Sequence, residues 1–256
     1  MQNFIKYREF AEKIVTKAGE IVLQEKHKAK VVKQKDIQDI ATTADIASEK
    51  YVIGEITKNF PDHTILSEEA GENEIKSDFR WIIDPLDGTK EFVRDIPLYN
   101  ISIALEYKNE LVVSALYRPD EKTLYSASNG EGSFKNGNKI RVSEQSDLSK
   151  SFIYCYLPSY HRDKDKYEWA FEKLKQIGEK VYRLRSLADE NTALCWLAQG
   201  GIEAYVNLSN MPKLHDIATG LLIAREAGAY NSKLNMPLVV ANNKQIYNEL
   251  IKIING

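Results

Sequence analysis

Residues 81–92 read WIIDPLDGTKEF, an apolar run that stops at one acid and meets a second acid three residues later. Trp81-Ile82-Ile83 has the composition of a buried strand, so Asp84 stands where the chain leaves the core. Pro85 and Leu86 separate it from Asp87, and Gly88-Thr89 follow at once. In isolation Pro and the Asp-Gly pair spell an ordinary turn. The preceding FRWIID is too apolar for a surface segment, however. Thr89 through Phe92 then predict a helix or turn start whose free backbone N–H groups attract an anion. A tight bend of this spacing presents both carboxylates and the Leu86 carbonyl to one point.

Other acids sit in comparable places. HTILSEEA (63–70) ends an apolar strand in Glu68-Glu69, and LHDIATG (214–220) puts Asp216 at the start of an apolar helix. For Asp216 alone an N-cap is explanation enough. Together the acids predict a hard-cation site, because Mg²⁺ takes oxygen ligands and completes its shell with water and phosphate. Glu68, Asp84, Asp87 and Asp216 carry four negative charges, which two Mg²⁺ ions balance. Unbalanced, they repel one another at a cost with no structural purpose.

The rest of the composition narrows the classes. The chain has 256 residues, 43% hydrophobic and 28% charged, which predicts a globular protein with one large core or two subdomains. A net charge of −2 without long runs of one sign argues against a nucleic-acid polymer as partner and against a polybasic membrane anchor. Charges interrupt the apolar residues of the N-terminal segment, so neither a signal peptide nor a spanning helix is expected there. Cys155 and Cys195 have no metal-binding or redox spacing and are expected as buried thiols of a cytoplasmic protein.

Periodicity supplies the elements. Phe4, Tyr7, Ala11, Ile14, Ala18, Ile21 and Val22 have helical spacing, and a second helix is expected through Ile46, Ile53, Ile56 and Phe60. The KQKDIQDIATTAD segment between them reads as polar connection. HTIL, FRWIID, ISIALEY, ELVVSALY and TLYSAS follow as strands bounded by turn residues. SFIYCYL, VYRLRS, GIEAYVNL and PLVVAN are later strands, alternating with helices over YEWAFEKLKQIG, ENTALCWLAQ, a segment from His215-Asp216, and about 243 to 254. The order predicts an α/β protein with an α+β half, 1–147, that carries most of the metal ligands. An α/β half, 148–256, supplies the last candidate ligand.

ILSEE, WIIDPLDGTKEF and LHDIATG, in this order and spacing, resemble the three signature segments of the inositol monophosphatase superfamily of Mg²⁺-dependent, Li⁺-sensitive phosphatases. The resemblance extends to ATTAD (41–45), NGEGSFKNG (129–137) and RSLADENTALCWLAQGG (185–201). It implies a layered αβαβα sandwich, as in the inositol monophosphatase and fructose-1,6-bisphosphatase fold, and a homodimer. It also implies that the half 148–256 forms part of the substrate pocket. Glu68, Asp84, Asp87, Asp216 and the Leu86 carbonyl would then hold two or three Mg²⁺ ions. Thr89 would orient the attacking water with Asp45 paired to it, and the Gly88 and Thr89 N–H groups, with Asp216, would bind the phosphate and substrate. Asp45, Glu68 and Thr89 form the implied catalytic set, with water attacking phosphorus in line.

Departures bear on the substrate. His215 stands where the family commonly has Trp, Ala188-Asp189-Glu190-Asn191 replaces a small Gly-Ser/Thr stretch, and Ser209 replaces an acid typical of inositol monophosphatases proper. Lys90-Glu91-Phe92 resembles the 3′(2′),5′-bisphosphate nucleotidase branch. The expected activity is therefore that of a phosphomonoesterase on a small phosphorylated metabolite, with a nucleoside 3′,5′-bisphosphate first. Inositol phosphate or another sugar or polyol phosphate, such as fructose 1,6-bisphosphate, is the alternative. A catalytically silent homologue is the reading from a different class. GEGSFKNG (130–137) resembles a phosphate loop but is expected to be a hairpin, and the aromatics of FIYCYLPSYHR are expected in the core.

Overall fold

The computed structural model describes residues 4–36, 39–187, 189–231 and 236–256. Its first elements are α1 (Ile5–Glu25), β1 (Val31–Asp36), β2 (Asp39–Thr42), α2 (Thr43–Asn59), β3 (Thr64–Ser67), β4 (Gly71–Glu72), β5 (Phe79–Asp87) and α3 (Thr89–Val93). The meander β6 (Asn100–Tyr107), β7 (Glu110–Arg118), β8 (Thr123–Ser128), β9 (Gly132–Lys135) and β10 (Asn138–Ile140) follows. The remainder is β11 (Phe152–Tyr156), α4 (Lys164–Gly178), β12 (Arg183–Arg185), α5 (Glu190–Ala198), β13 (Ala204–Asn207), α6 (Leu214–Glu226), β14 (Val239–Ala241) and α7 (Lys244–Asn255).

Strand alternation builds the layers. The large sheet runs β10-β9-β8-β7-β6-β5-β3-β4. Trp81, Ile83, Ile101, Ile103, Val113 and Ala115 point to one face and pack with Ile14, Val22, Val52 and Ile56 of α1 and α2. Ile82 and Ala104 point to the other and meet Ala218 of α6, while Leu116, Tyr125 and Ala127 meet Cys195, Leu222 and Ile223. The small sheet runs β12-β11-β13-β14. Tyr154, Tyr205 and Val240 face α5 and α6, and Ile153, Cys155, Val206 and Val239 face α4 and α7. The order is helices, sheet, helices, sheet, helices, which is the expected αβαβα sandwich. Helices α5 and α6 are buried on both sides, which explains why eight of nine α5 residues are buried, including polar Asn191 and Thr192.

The polar segment after α1 is a correction. It contains the antiparallel hairpin β1–β2, whose strands pair only with each other. Val31 and Val32 of β1 are exposed, so that strand has no apolar alternation to read, and in the short β2 the buried Ala41 and Thr42 are adjacent rather than alternating. GEGSFKNG does form a hairpin, β9–β10. The N–H groups of Gly130 and Gly132 donate to Glu226 Oε2, at 2.9 and 3.3 Å, so a carboxylate occupies the place a phosphate would take. Tyr154 is buried against Tyr205 as expected. Cys155 and Cys195 are free and buried, and burial pushes the Cys155 thiol up to about 12. No helix among the described residues is long and apolar enough to cross a membrane.

Candidate active site

The acids of the opening segment lie in a strand rather than past its end. Asp84 pairs with Ser102 and Asp87 with Asn100, so three steps along β5 match two along β6. Pro85 and Leu86 thus form a β-bulge, a device that re-aims side chains while the strand continues. The Pro85 carbonyl accepts from Ser48 Oγ at 2.7 Å, and the Leu86 N–H donates to Asp84 Oδ1 at 3.1 Å. Gly88 follows with φ +86°. A Cβ there would lie 2.6 Å from the Leu98 carbonyl oxygen, so the turn into α3 has both the torsion and the clearance of glycine alone.

Asp45 reaches this bulge from the first turn of α2. Its Oδ2 accepts from the Thr42 N–H at 2.8 Å and from Thr42 Oγ1 at 2.5 Å, closing a capping box. Its Oδ1 lies 2.9 Å from Thr89 Oγ1, which is also 2.9 Å from the Leu86 carbonyl oxygen. One hydroxyl proton serves one acceptor at a time, so Thr89 is held between the two. Burial, opposed by the Thr42 and Thr89 hydrogen bonds, pushes the Asp45 carboxyl up to about 6.

Two residues missed in the sequence hold the adjoining walls. Ser48 and Glu49 share the Asp45 face of α2. Glu49 Oε1 accepts from Ser67 Oγ and from the N–H groups of Glu69, at 3.1 Å, and Ala70, at 3.0 Å, so it fixes the turn that bears Glu68. Polar residues at 45, 48 and 49 on the face that also carries Val52 were the available signal. From the other wall, Asn191 Nδ2 donates to the His215 carbonyl at 3.1 Å, and its Oδ1 accepts from the Gly220 N–H at 2.8 Å. That clasp docks α6, and with it Asp216, onto α5. His215 is buried, with Nε2 3.2 Å from Asp216 Oδ1, so it touches a candidate ligand rather than standing at the rim.

Glu68, Asp84, Leu86, Asp87, Gly88, Thr89 and Asp216 line one cleft of about 230 Å³, and Asp45 supports it through Thr89. A larger groove of about 1090 Å³ between α4 and α7 contains none of these groups, so chemistry and not size marks the site. Burial pushes the Asp84 carboxyl well above its usual range, reinforced by Glu68 and Asp216. Asp87 is raised in the same way by burial and by Asp189 and Asp84. Asp216 is raised by burial, although His215 opposes it. An all-oxygen donor set whose members raise one another suits a hard dication. Among the described residues no group of three acid, His or Cys side chains is placed to hold a metal ion by itself. The acids line an open cleft, the arrangement in which Mg²⁺ keeps water and substrate oxygens.

The cleft also contains Lys90, Asp189 and Glu190, which the sequence tied to the substrate, and Ile40, Tyr156, Arg162, Leu187 and Lys213, which it did not. Of the aromatic stretch assigned to the core, Tyr156 packs against the core and also reaches the cleft, while Tyr160 is exposed, contrary to the expectation. Tyr156 is the last residue of β11. Ala188 lies outside the described residues.

Comparison with known proteins bears on this arrangement. The model of the inositol monophosphatase family matches residues 5–254. A protein of Aquifex aeolicus named fructose-1,6-bisphosphatase/inositol-1-monophosphatase is 32% identical over 99% of this chain and 97% of its own. The Nus factor SuhB of Haemophilus influenzae is 33% identical, covering 92% of this chain and 90% of its own. Among solved structures, the IMPase of Thermotoga maritima superposes with a TM-score of 0.84 at 27% identity, over 96% of each chain.

Proposed function

Because the chain belongs to the inositol monophosphatase family, whose members are phosphoric monoester hydrolases dependent in general on Mg²⁺, we propose that it hydrolyses a small sugar or polyol phosphate. The observation that carries this reading is the position of Thr89 Oγ1, 2.9 Å from both Asp45 Oδ1 and the Leu86 carbonyl, beside the cleft acids.

Glu68, Asp84, Asp87, Asp216 and the Leu86 carbonyl would hold the ions. Bound there, Mg²⁺ supplies the positive charge that activates water and offsets charge developing on the phosphoryl group. The chain's own groups do the positioning. Thr42 locks one oxygen of Asp45, so the other is aimed at Thr89. The Thr89 hydroxyl, donating to Asp45, offers its lone pairs to a water in the cleft. An acid poised at about 6 can take up a proton passed through that hydroxyl near neutral pH. The N–H groups of Gly88 and Thr89 open α3 and serve the phosphate. A silent homologue would have no use for this locked pair.

A nucleoside 3′,5′-bisphosphate is the second reading. Phe92 is buried edge-to-face on Tyr99 and serves the core, but Lys90 and Glu91 line the cleft. Lys90, Arg162 and Lys213 together suit a second anionic group. We place the protein in the cytoplasm from its free, buried thiols, and read a homodimer from the family resemblance. One relative is named Nus factor SuhB, so membership of the family does not exclude partners larger than a metabolite.

Phosphate release from inositol 1-phosphate, fructose 1,6-bisphosphate, histidinol phosphate and adenosine 3′,5′-bisphosphate, with and without Mg²⁺, separates these readings. Preference for the first two supports the sugar or polyol class, and preference for histidinol phosphate, an amino-alcohol ester, moves the substrate outside it. Preference for the nucleotide replaces it without touching the mechanism. Absence of Mg²⁺-dependent release from all of them brings the silent homologue forward, or a substrate shaped to fit Asp189 and Glu190.

A further inference from the structure

Three carboxylates in the cleft belong to no proposed ligand set, Glu91 on α3 and the adjacent pair Asp189 and Glu190 at the start of α5. Glu190 is only 6% exposed, yet it lines the cleft from the first turn of α5. Asp189 caps that helix through Oδ1, which accepts from the Thr192 N–H at 2.5 Å. Its Oδ2 is buried with no hydrogen-bond partner among the described residues. The first-turn position and its own backbone N–H favour the Glu190 carboxylate a little, but burying such a group costs far more. The cap needs only one oxygen of Asp189. Helix formation therefore explains neither Glu190 nor the free oxygen of Asp189.

Charge narrows what they meet. The ligand acids are balanced by the ions they would hold, and a phosphate has Lys90, Arg162 and Lys213 on the same cleft. Glu91, Asp189 and Glu190 remain outside that balance, and Lys90 opposes the charge of Glu190 only in part. A substrate hydroxyl would satisfy a lone pair there but leave the charge. An ammonium group would satisfy both, with a charge-assisted hydrogen bond. Tyr156, in the same cleft, adds a hydroxyl that can donate or accept.

Resting on the phosphatase reading, we infer that Glu190, with the free oxygen of Asp189, selects substrates bearing a protonated amine near the phosphoester. The substrate class is the phosphate monoesters of amino alcohols or amino sugars. Glu190 acts on specificity, and the chemistry of hydrolysis is unchanged: water adds to phosphorus, and the alcohol leaves with a proton.

The test compares matched pairs that differ by an amine for a hydroxyl, O-phosphoethanolamine against 2-hydroxyethyl phosphate and glucosamine 6-phosphate against glucose 6-phosphate. In the native protein with Mg²⁺, kcat/KM should favour the amine in at least one pair by roughly tenfold or more. In Glu190→Gln that ratio should fall to near unity, and Glu190→Asp, which keeps the charge, should keep its direction. A ratio near one in both pairs for the native protein overturns the inference, and so does a preference that survives Glu190→Gln. p-Nitrophenyl phosphate assayed with the native protein separates the two failures. Mg²⁺-dependent turnover of it without amine preference sinks this inference alone, and no turnover of any ester sinks the phosphatase reading as well.

Discussion

At Asp87 the bulge of β5 ends, and the half-buried residue has its proton affinity raised by loss of water around the carboxylate and by Asp189, Asp84 and Asp216. Replacing it with Asn removes a ligand and a source of repulsion together. Asp87→Asn is expected to lower kcat/KM by about 10³-fold or more, yet to melt no lower than the native protein when Mg²⁺ is chelated. Kinetics paired with thermal melts in EDTA check this, and near-native turnover would remove Asp87 from the ligand set. Thr89 makes a different demand, since its hydroxyl is held between Asp45 and the Leu86 carbonyl. Thr89→Ala is expected to cost about 10²–10⁴ in kcat, while Thr89→Ser retains most of the activity; equal losses in both would refute the hydroxyl's role. Asp84, Asp87 and Asp216 were legible in the sequence because acids ending apolar runs are out of place there. Ser48, Glu49 and Asn191 were not, because their partners are backbone groups brought close only by folding.

The crossing of α5 and α6 shows how an element positions the site. A Cβ on Gly220 would lie 2.8 Å from Leu194 Cβ and 3.0 Å from Asn191 Cα, so the two helices touch at that glycine. Gly220→Ala is expected to destabilise by about 1–3 kcal/mol and to lower activity, because Asp216 and Glu190 ride on the two helices. Gly54 in α2 has nothing within 4 Å of the same hypothetical carbon. Gly54→Ala is therefore expected to stabilise by about 0.4–1 kcal/mol. Urea midpoints of the pair provide the check, and equal shifts would refute the close crossing. The long helices and central strands were readable from their periods. The β1–β2 hairpin was not, since β1 is exposed and the buried residues of the short β2 do not alternate. Nor was the bulge, because Pro-Leu between acids reads equally as a terminal turn.

Across the whole molecule the raised carboxyls fix the sign of the pH response. Asp45, Asp84, Asp87, Glu190 and Asp216 all bind protons more tightly folded than unfolded. Their contribution to stability is complete below the unfolded values near 4 and is lost as pH rises through the folded ones, about 6 for Asp45. In EDTA the melting temperature is expected to fall between pH 5 and 8, and saturating Mg²⁺ should raise it more at pH 8 than at pH 5. A Mg²⁺ shift independent of pH would show that the cluster is not where the ion binds. The layer order was legible from the alternation of strands and helices in the second half, but the two-sided burial of α5 and α6 was not, because a helix that is apolar all round does not name its neighbours. We propose that 1–147 and 148–256 are subdomains of one cooperative unit rather than separable domains.

The shared middle layer also sets a timetable for synthesis. The large sheet is complete by residue 140, but one of its faces, with Ile82, Leu116, Tyr125 and Ala127, is covered only by α5 and α6. On the ribosome that face stays uncovered while a further third of the chain is translated, and the last acid of the site emerges with the same helix that covers it. A chain stalled at residue 147 should accordingly be insoluble or chaperone-bound, and a soluble, folded 1–147 fragment would refute this. Release from quality control and the gain of activity would then be one event.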